Sequence, residues 1–442
     1  MSATRKIVSD ATCTFCGCLC DDIELAVGDR RILKAKRACA LGTSWFLNHV
    51  VDDRPACHVR GKPATVDEGI EQAAEILAHA RYPLIYGLSD TTVEAQRVAV
   101  AIGDWVGACV DSTTSVCHGP TGMAMQSVGE VTCTLGEMRN RGDLIIFWGC
   151  NPAESHPRHF TRYSLMPRGM FVSGGRKDRT CIVVDVRRTK TAKAADGFIQ
   201  IKPRCDFEAL WALRALARDI ALDPRQVEEN TGQPLRVWQD LMDRMKSARF
   251  GVLCFGMGLT MTRGKHANSE ALLALVRDMN RHTRFVCQPN RGHGNVAGAD
   301  NVLAWRTGFP FAVNFARGYP RFNPGEYTAT DVLARGEADA AMIVASDPMA
   351  NFSQPARDHL KSIPYIVLDP HPTPTARHAA VWFTVAAYGI SAGGTAYRMD
   401  NVPIRLRPAL PSPLPSDEDI LRAIESRVRA LKSGDEEEPP LR

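Results

Sequence analysis

Cys13, Cys16, Cys20 and Cys39 follow the spacing C-x2-C-x3-C-x18-C. Three thiolates fall within one tight turn and a fourth returns after a short excursion, which is how a chain wraps a cubane iron–sulfur cluster. Zinc is the rival, because Cys13 and Cys16 alone would open a zinc ribbon. A ribbon, however, closes with a second C-x2-C or with paired histidines, and here only Cys39, then Cys57 and His58, follow. A site that has lost its metal is the third reading. Cys18 lies inside the run at a spacing that sets it apart, and reads as a packed thiol beside the ligands.

Two further segments carry chemistry. Ser115-Val116-Cys117-His118-Gly119-Pro120 follows a strand-like run and precedes a helix expected from about Thr121. A cysteine at such a junction lies near a helix N-terminus, where the dipole favours the thiolate, and His118 beside it can handle a proton. Thiolate plus imidazole serves covalent catalysis or a soft metal centre; a structural Cys-His pair is the plain alternative. Arg291 lies in Asn290-Arg291-Gly292-His293-Gly294-Asn295, at the end of an expected strand over 285–287. A guanidinium there could clamp a small carboxylate with two bonds, or it is an arginine on a surface loop.

These residues need a scaffold, and the chain alternates helices with buried strands from about residue 64. Residues 67–80 read as an amphipathic helix, 83–87 as a strand ending in glycine and 91–105 as a helix again. This alternation predicts an α/β fold with a parallel sheet covered on both faces. Ahead of it, 23–27 and 32–35 form a hairpin that carries Cys20 towards Cys39. A helix over 206–221 is expected to start on Asp206 as its cap. Gly256-Met257-Gly258 after the strand 251–255 is a weak phosphate-loop signal, since strand-to-helix turns favour glycine anyway. Residues 301–326 are aromatic, glycine- and proline-rich without periodicity, suggesting a long functional loop or partner contact.

An internal repeat is visible. The strand and turn over 145–152, ending Asn151-Pro152, is echoed by 342–348, ending Asp347-Pro348. The strand over 182–189, with Asp185 at its end, is echoed by 366–373, with Asp369. In open α/β sheets ligands lie beyond the carboxyl ends of the strands. A terminal aspartate there accepts two bonds from a guanine edge or a ribose diol, or merely caps the following turn. The doubling points to two related nucleotide sites.

At 442 residues two or three lobes are expected. Lys and Arg total 54 against 49 acidic residues, with no basic block, so nucleic acid is not implied. The N-terminus lacks the apolar run of a signal peptide, and no stretch is apolar enough for a membrane span. Fourteen cysteines in such a chain belong to a reducing compartment, and the cytoplasm is the expectation. The divisions read as a cysteine-bearing lobe (1–55), an α/β segment carrying Cys117 (56–140), a first nucleotide-binding lobe (141–250), a second (251–432) and a disordered acidic tail (433–442).

Taken together, the four cysteines, the Cys117-His118-Gly119-Pro120 segment, the 149–157 run, the Asp185 and Asp369 strands, Arg291-Gly292-His293 and the 394–400 run resemble the B subunit of formylmethanofuran dehydrogenase. This is a branch of the molybdopterin oxidoreductases related to formate dehydrogenase, and the resemblance covers about residues 10–405. It implies a small iron–sulfur lobe plus two repeated, doubly wound, dinucleotide-binding-like lobes. It further implies a tungsten or molybdenum centre held by two pyranopterin guanine dinucleotides, with Cys117 as metal ligand and His118 and Arg291 handling proton and substrate. Asn151, Glu154, Asp185, Thr189, Asp347, Asp369, Gly394 and Thr395 fall at its cofactor-binding positions, and Cys13, Cys16, Cys20 and Cys39 would hold a 4Fe-4S cluster. The implied reaction interconverts carbon dioxide and formate.

The implied partners are an amidohydrolase-type A subunit, a C-type subunit, a β-barrel D-type subunit that replaces the C-terminal barrel of single-chain relatives, and an electron-transfer partner. Leu41 stands where the wider family often carries Lys or Arg between cluster and pterin. Two alternatives accompany the resemblance: a non-redox structural subunit of a formyltransferase/hydrolase complex in formaldehyde oxidation, and another molybdopterin oxidoreductase.

Overall fold

Uninterrupted apolar runs such as Leu144–Trp148 and Ala340–Val344 are buried along their whole length, as strands covered on both faces must be. The computed structural model describes residues 6–51 and 53–434. The fold is α/β, and the chain divides into two compact units. Of the described residues, one unit comprises 6–51, 53–115, 293–398 and 403–434; the other comprises 116–292 and 399–402.

The second unit is built on a five-stranded parallel sheet. Its order is Gly197–Gln200, Thr180–Asp185, Leu144–Trp148, Phe250–Phe255, Arg284–Pro289. The first unit holds a nine-stranded sheet whose parallel centre runs Val381–Phe383, Tyr365–Leu368, Ala340–Val344, Pro83–Gly87, Cys109–Ser112. Short antiparallel strands extend both of its edges.

The two parallel orders are the same pattern with the chain permuted. In one, the echoed pair of strands, Leu144–Trp148 and Thr180–Asp185, precedes the strands on the other side of the switch point. In the other, Pro83–Gly87 and Cys109–Ser112 come first and Ala340–Val344 and Tyr365–Leu368 follow. The linear division at 250/251 therefore does not describe the fold: Phe250–Phe255 pairs with Leu144–Trp148, not with the second echo.

Glycine permits close approach at the switch point of the five-stranded sheet. Gly149 has φ +55°, and a Cβ on it would lie 2.6 Å from the Leu259 nitrogen. Gly258 donates its N–H to the Gly149 carbonyl at 2.9 Å. Gly256-Met257-Gly258 thus serves backbone-on-backbone packing.

Local capping sets the helices. Thr65 and Glu68 form a reciprocal capping box on Val66–His79, and Thr92 caps Val93–Val106, which ends on left-handed Gly107. Asp206 is not a cap: Cys205 holds that position, and the Asp206 carboxylate instead accepts the indole N–H of buried Trp148 at 2.9 Å. Residues expected as an extended loop are partly helical, since Val296–Thr307 is a helix. Ser433 and Gly434, assigned by sequence to a disordered tail, end the helix Asp417–Gly434; the rest of that tail lies outside the described residues. Among the described residues no helix is long and apolar enough to cross a membrane.

The expected N-terminal hairpin is Ile23–Val27 with Ile32–Lys36, joined by a third strand, Lys6–Ala11. The cysteine turn that follows Ala11 is fastened to its own unit. The Tyr388 hydroxyl donates to the Thr14 carbonyl at 2.5 Å, and Thr14 Oγ1 returns a bond to the Tyr388 carbonyl at 3.1 Å.

Candidate active site

Cys117 and His118 precede the helix Gly119–Val128, whose first turn carries Pro120. Proline suits that position because the helix leaves its N–H unused there. The Cys117 carbonyl accepts the Thr260 hydroxyl at 2.9 Å, which fastens the loop through its backbone. His118 is fully buried, with Nδ1 3.2 Å from Thr121 Oγ1 and its ring edge-on to Phe255. Burial, reinforced by Arg291 and His156, pushes its pKa down to about 3, while the neighbouring Asn290 carbonyl works the other way. Among the described residues Nε2 nevertheless has no hydrogen-bond partner of good geometry. The imidazole is therefore neutral at physiological pH, with one buried nitrogen unpaired.

The strand Arg284–Pro289 leads into Asn290 and Arg291. Asn290 donates its N–H to the Phe255 carbonyl at 2.8 Å, and Arg291 follows it, buried. The Arg291 carbonyl is 2.7 Å from Nε2 of buried His156, whose Nδ1 lies 2.8 Å from Ser155 Oγ. Since a carbonyl only accepts, Nε2 carries the proton and Nδ1 accepts from the serine. Half-buried Glu130 also feels Arg291; burial pushes its pKa up to about 7 against that pull.

Segments from four parts of the sequence thus meet beyond the carboxyl ends of Leu144–Trp148, Phe250–Phe255 and Arg284–Pro289, where α/β sheets hold ligands. They offer a thiol, a neutral imidazole, a buried guanidinium and a carboxyl group titrating near neutrality.

The four N-terminal cysteines form a separate constellation in the other unit. Cys13 donates its backbone N–H to the Cys20 carbonyl at 2.8 Å, and Leu19 to that of Cys16 at 3.0 Å, closing the turn. Cys39 caps the helix Ala40–Leu47, its sulfur accepting the Gly42 N–H at 3.4 Å. A Cβ on Gly42 would lie 2.9 Å from the Cys13 sulfur and 3.8 Å from that of Cys39, so the glycine keeps a cradle clear beside both. Burial raises the Cys13 pKa far above the usual thiol range, and Cys16, Cys20 and Cys39 add to the rise. Cys18 is buried and hydrogen-bonded to Cys16, whose pKa it lowers. Among the described residues no three Cys, His, Asp or Glu groups close on a single-ion site. Cys13 thus feels the other three thiols of the motif, and a backbone N–H is aimed at the Cys39 sulfur, the kind of donor that sulfur ligands of a metal group accept from.

The structure places the cofactor candidates as follows. Asn151 and Asp347 each bind a threonine of the next crossover, Thr191 and Thr375. Asp185 accepts the Arg187 N–H at 3.3 Å, and Asp369 that of His371 at 2.8 Å, so both cap the turn after their strand. Asp369 is buried, and desolvation pushes its pKa up to about 8, with Asp417, Asp347 and Asp90 adding to the rise. Thr189 caps the short helix Lys190–Lys193. Glu154 is exposed, paired with Lys190 at 3.0 Å and bonded to Asn151. Thr395 donates its N–H and hydroxyl to Glu94, at 2.9 and 2.8 Å, and Gly394 has φ +141°.

His156, Glu130 and Asn290 were not singled out from sequence. His156 had a signal of a kind, a histidine shortly after a strand-end Asn-Pro turn. Glu130 and Asn290 had none, because what distinguishes them is burial.

No family model matches the chain. It is 45% identical over 436 residues to the B subunit of the tungsten-containing formylmethanofuran dehydrogenase 2 of Methanocaldococcus jannaschii, covering 96% of this chain and 99% of that protein. It is 41% identical to the protein of the same name from Methanococcus maripaludis, covering 97% and 100%. Among solved structures it is similar to the formyltransferase/hydrolase complex of Methylorubrum extorquens in complex with methylofuran. That likeness has a TM-score of 0.70 at 24% identity, covering 86% of this chain and 100% of that one, and shows the fold. Identity above two-fifths along almost the full length of two such relatives leaves one conclusion: the chain belongs to the family of formylmethanofuran dehydrogenase B subunits.

Proposed function

We propose that this chain is the redox-catalytic B subunit of a formylmethanofuran dehydrogenase, interconverting carbon dioxide and formate. Cys117 would ligate a tungsten centre carried by two pyranopterin guanine dinucleotides. Cys13, Cys16, Cys20 and Cys39 would hold a 4Fe-4S cluster. Both curated relatives are named as tungsten-containing, which favours tungsten over molybdenum. One observation carries the reading: a buried neutral imidazole and a buried guanidinium, far apart in sequence, act on one another beside Cys117.

When bound, the metal centre supplies the two-electron exchange between formate and carbon dioxide. The chain's own residues do the rest. Arg291 binds the carboxylate through paired N–H bonds, and its burial strengthens that attraction. His118, held neutral by its burial, presents an uncharged imidazole to the reacting groups. Glu130, near pKa 7, is matched to exchange a proton at working pH. The apolar packing around His118 keeps water from the reacting groups.

The assembly we infer is a cytoplasmic complex with an amidohydrolase-type A subunit, a C-type subunit, a β-barrel D-type subunit and an electron-transfer partner. Formate would pass to the A subunit for exchange with the furan carrier. Elemental analysis of the anaerobically purified complex, with formate-dependent dye reduction, tests the reading. The expected result is about one tungsten and about four or more irons per copy of this chain, with dye reduced. A complex with neither heavy metal nor iron, inert to formate, would be the non-redox scaffold instead.

A further inference from the structure

Asn290 presents an anomaly that the proposed machinery does not use. It is buried, at 7% exposure, yet neither side-chain Nδ2 nor Oδ1 has a hydrogen-bond partner among the described residues. Buried carboxamides are ordinarily bonded at both ends, because an unmet donor or acceptor forfeits its water for nothing. The backbone is well fixed, by the N–H bond to Phe255 and by the strand Arg284–Pro289 before it. The side chain therefore does not stay unbonded for want of an ordered setting.

Its surroundings say what it is kept for. Its chain neighbour is buried Arg291, and its carbonyl lies beside the His118 ring, whose Nε2 is also without a partner among the described residues. A ligand with negative oxygens would be bonded by the guanidinium and could also take an N–H from a neutral carboxamide. The amide adds a donor without adding charge, so it selects for orientation rather than for anions in general.

We propose that Asn290 is a substrate-orienting residue, whose Nδ2–H donates to one oxygen of the carboxylate held by Arg291. The proposal rests on the formate–carbon dioxide reading. It assigns the amide to the substrate and not to the protein's own packing.

Three purified complexes test it: wild type, Asn290→Ala and Asn290→Asp. The aspartate is isosteric and keeps the fold, but replaces the donor by an anion facing the substrate anion. The expected result is a rise in KM for formate of about 10-fold for alanine and more for aspartate, with kcat changed less. Tungsten and iron per complex should stay at wild-type values. Formate should raise the thermal midpoint of the wild type, and of neither variant by as much at the same concentration.

If wild type reduces dye with formate and both variants keep its KM and its formate-dependent midpoint shift, the Asn290 proposal falls while the reaction stands. If the variants lose metal and kcat together at an unchanged KM, Asn290 is structural and the proposal also falls. If the wild-type complex does not turn over formate, the proposed reaction fails and takes this inference with it.

Discussion

The carboxamide oxygen of Asn151 accepts both the N–H and the hydroxyl of Thr191, at 3.2 and 2.7 Å; Asp347 accepts the same two groups of Thr375, at 3.2 and 2.5 Å. The correspondence extends further. Each threonine hydroxyl also accepts a backbone N–H at 3.1 Å, from Ala153 in one sheet and from Met349 in the other. Asn151 and Asp347 share nearly the same backbone conformation, each followed by proline in the first turn of a short helix. The sequence repeat is thus a repeat of bonded geometry: a polar turn at a strand end fastened to the next crossover.

This device makes an unequal pair of substitutions informative. Asp347→Asn keeps the acceptor and should be nearly neutral, since the other sheet uses asparagine in that place. Thr375→Val keeps the volume but deletes the hydroxyl, leaving the buried turn short of a donor and an acceptor. A loss of about 1–3 kcal/mol is expected, read as a lower denaturant midpoint. Equal behaviour of the two variants would show that the threonine bonds do not hold the turn.

The repeat was legible in sequence because it lies in short contiguous strings, Asn151-Pro152 against Asp347-Pro348 and Asp185 against Asp369. The permutation was not. Pro83–Gly87 pairs with Ala340–Val344, and nothing in either string says that its neighbour lies on the far side of an inserted unit. Cys117 and Arg291 could be found from residue type and motif. Asn290 and Glu130 could not, because an asparagine or a glutamate becomes unusual only when its water has been taken away, and that depends on tertiary packing. Asp206 failed for a related reason: a good capping residue was claimed by a tertiary partner, the Trp148 indole.

Cys117→Ala should abolish formate-dependent dye reduction while leaving the unit folded. The loop is fastened at the Cys117 carbonyl by Thr260, a bond indifferent to the side chain. Circular dichroism and complex assembly should match wild type. An unchanged rate would remove Cys117 from the metal.

At the cluster, serine and alanine separate capping from ligation. Cys39→Ala deletes both the sulfur and the cap of Ala40–Leu47; loss of a cap alone costs about 0.5–2 kcal/mol. Cys39→Ser caps well but is a poor iron ligand, so it should keep the helix and lose iron. Gly42→Ala puts a methyl group 2.9 Å from the Cys13 sulfur, and should lower iron per complex with all four cysteines intact. Wild-type iron in both Cys39→Ser and Gly42→Ala would place the cluster elsewhere.

Acid should weaken the second unit through its buried histidines, and His159 shows the sign. Its Nδ1 lies 3.0 Å from Ser164 Oγ, and that hydroxyl donates to the His159 carbonyl at 3.2 Å, so Nδ1 carries the ring proton. Nε2 is then left as a buried acceptor without a partner, with the Phe147 ring edge-on to the imidazole at 5.8 Å. Protonating it would bury an unpaired charge, and desolvation, with some help from His156, pushes the pKa from 6.5 to about 3. Between those values the unfolded chain binds the proton and the folded chain does not, so stability rises with pH and is lost on acidification. From pH 7.5 to 5.5 the loss from this one residue is about 1.4 kcal/mol. Denaturant midpoints across that range should fall for wild type and fall less for His159→Phe, whatever the offset between the two proteins. Parallel lines for the two would mean that His159 takes up its proton in the folded chain as easily as in the unfolded one.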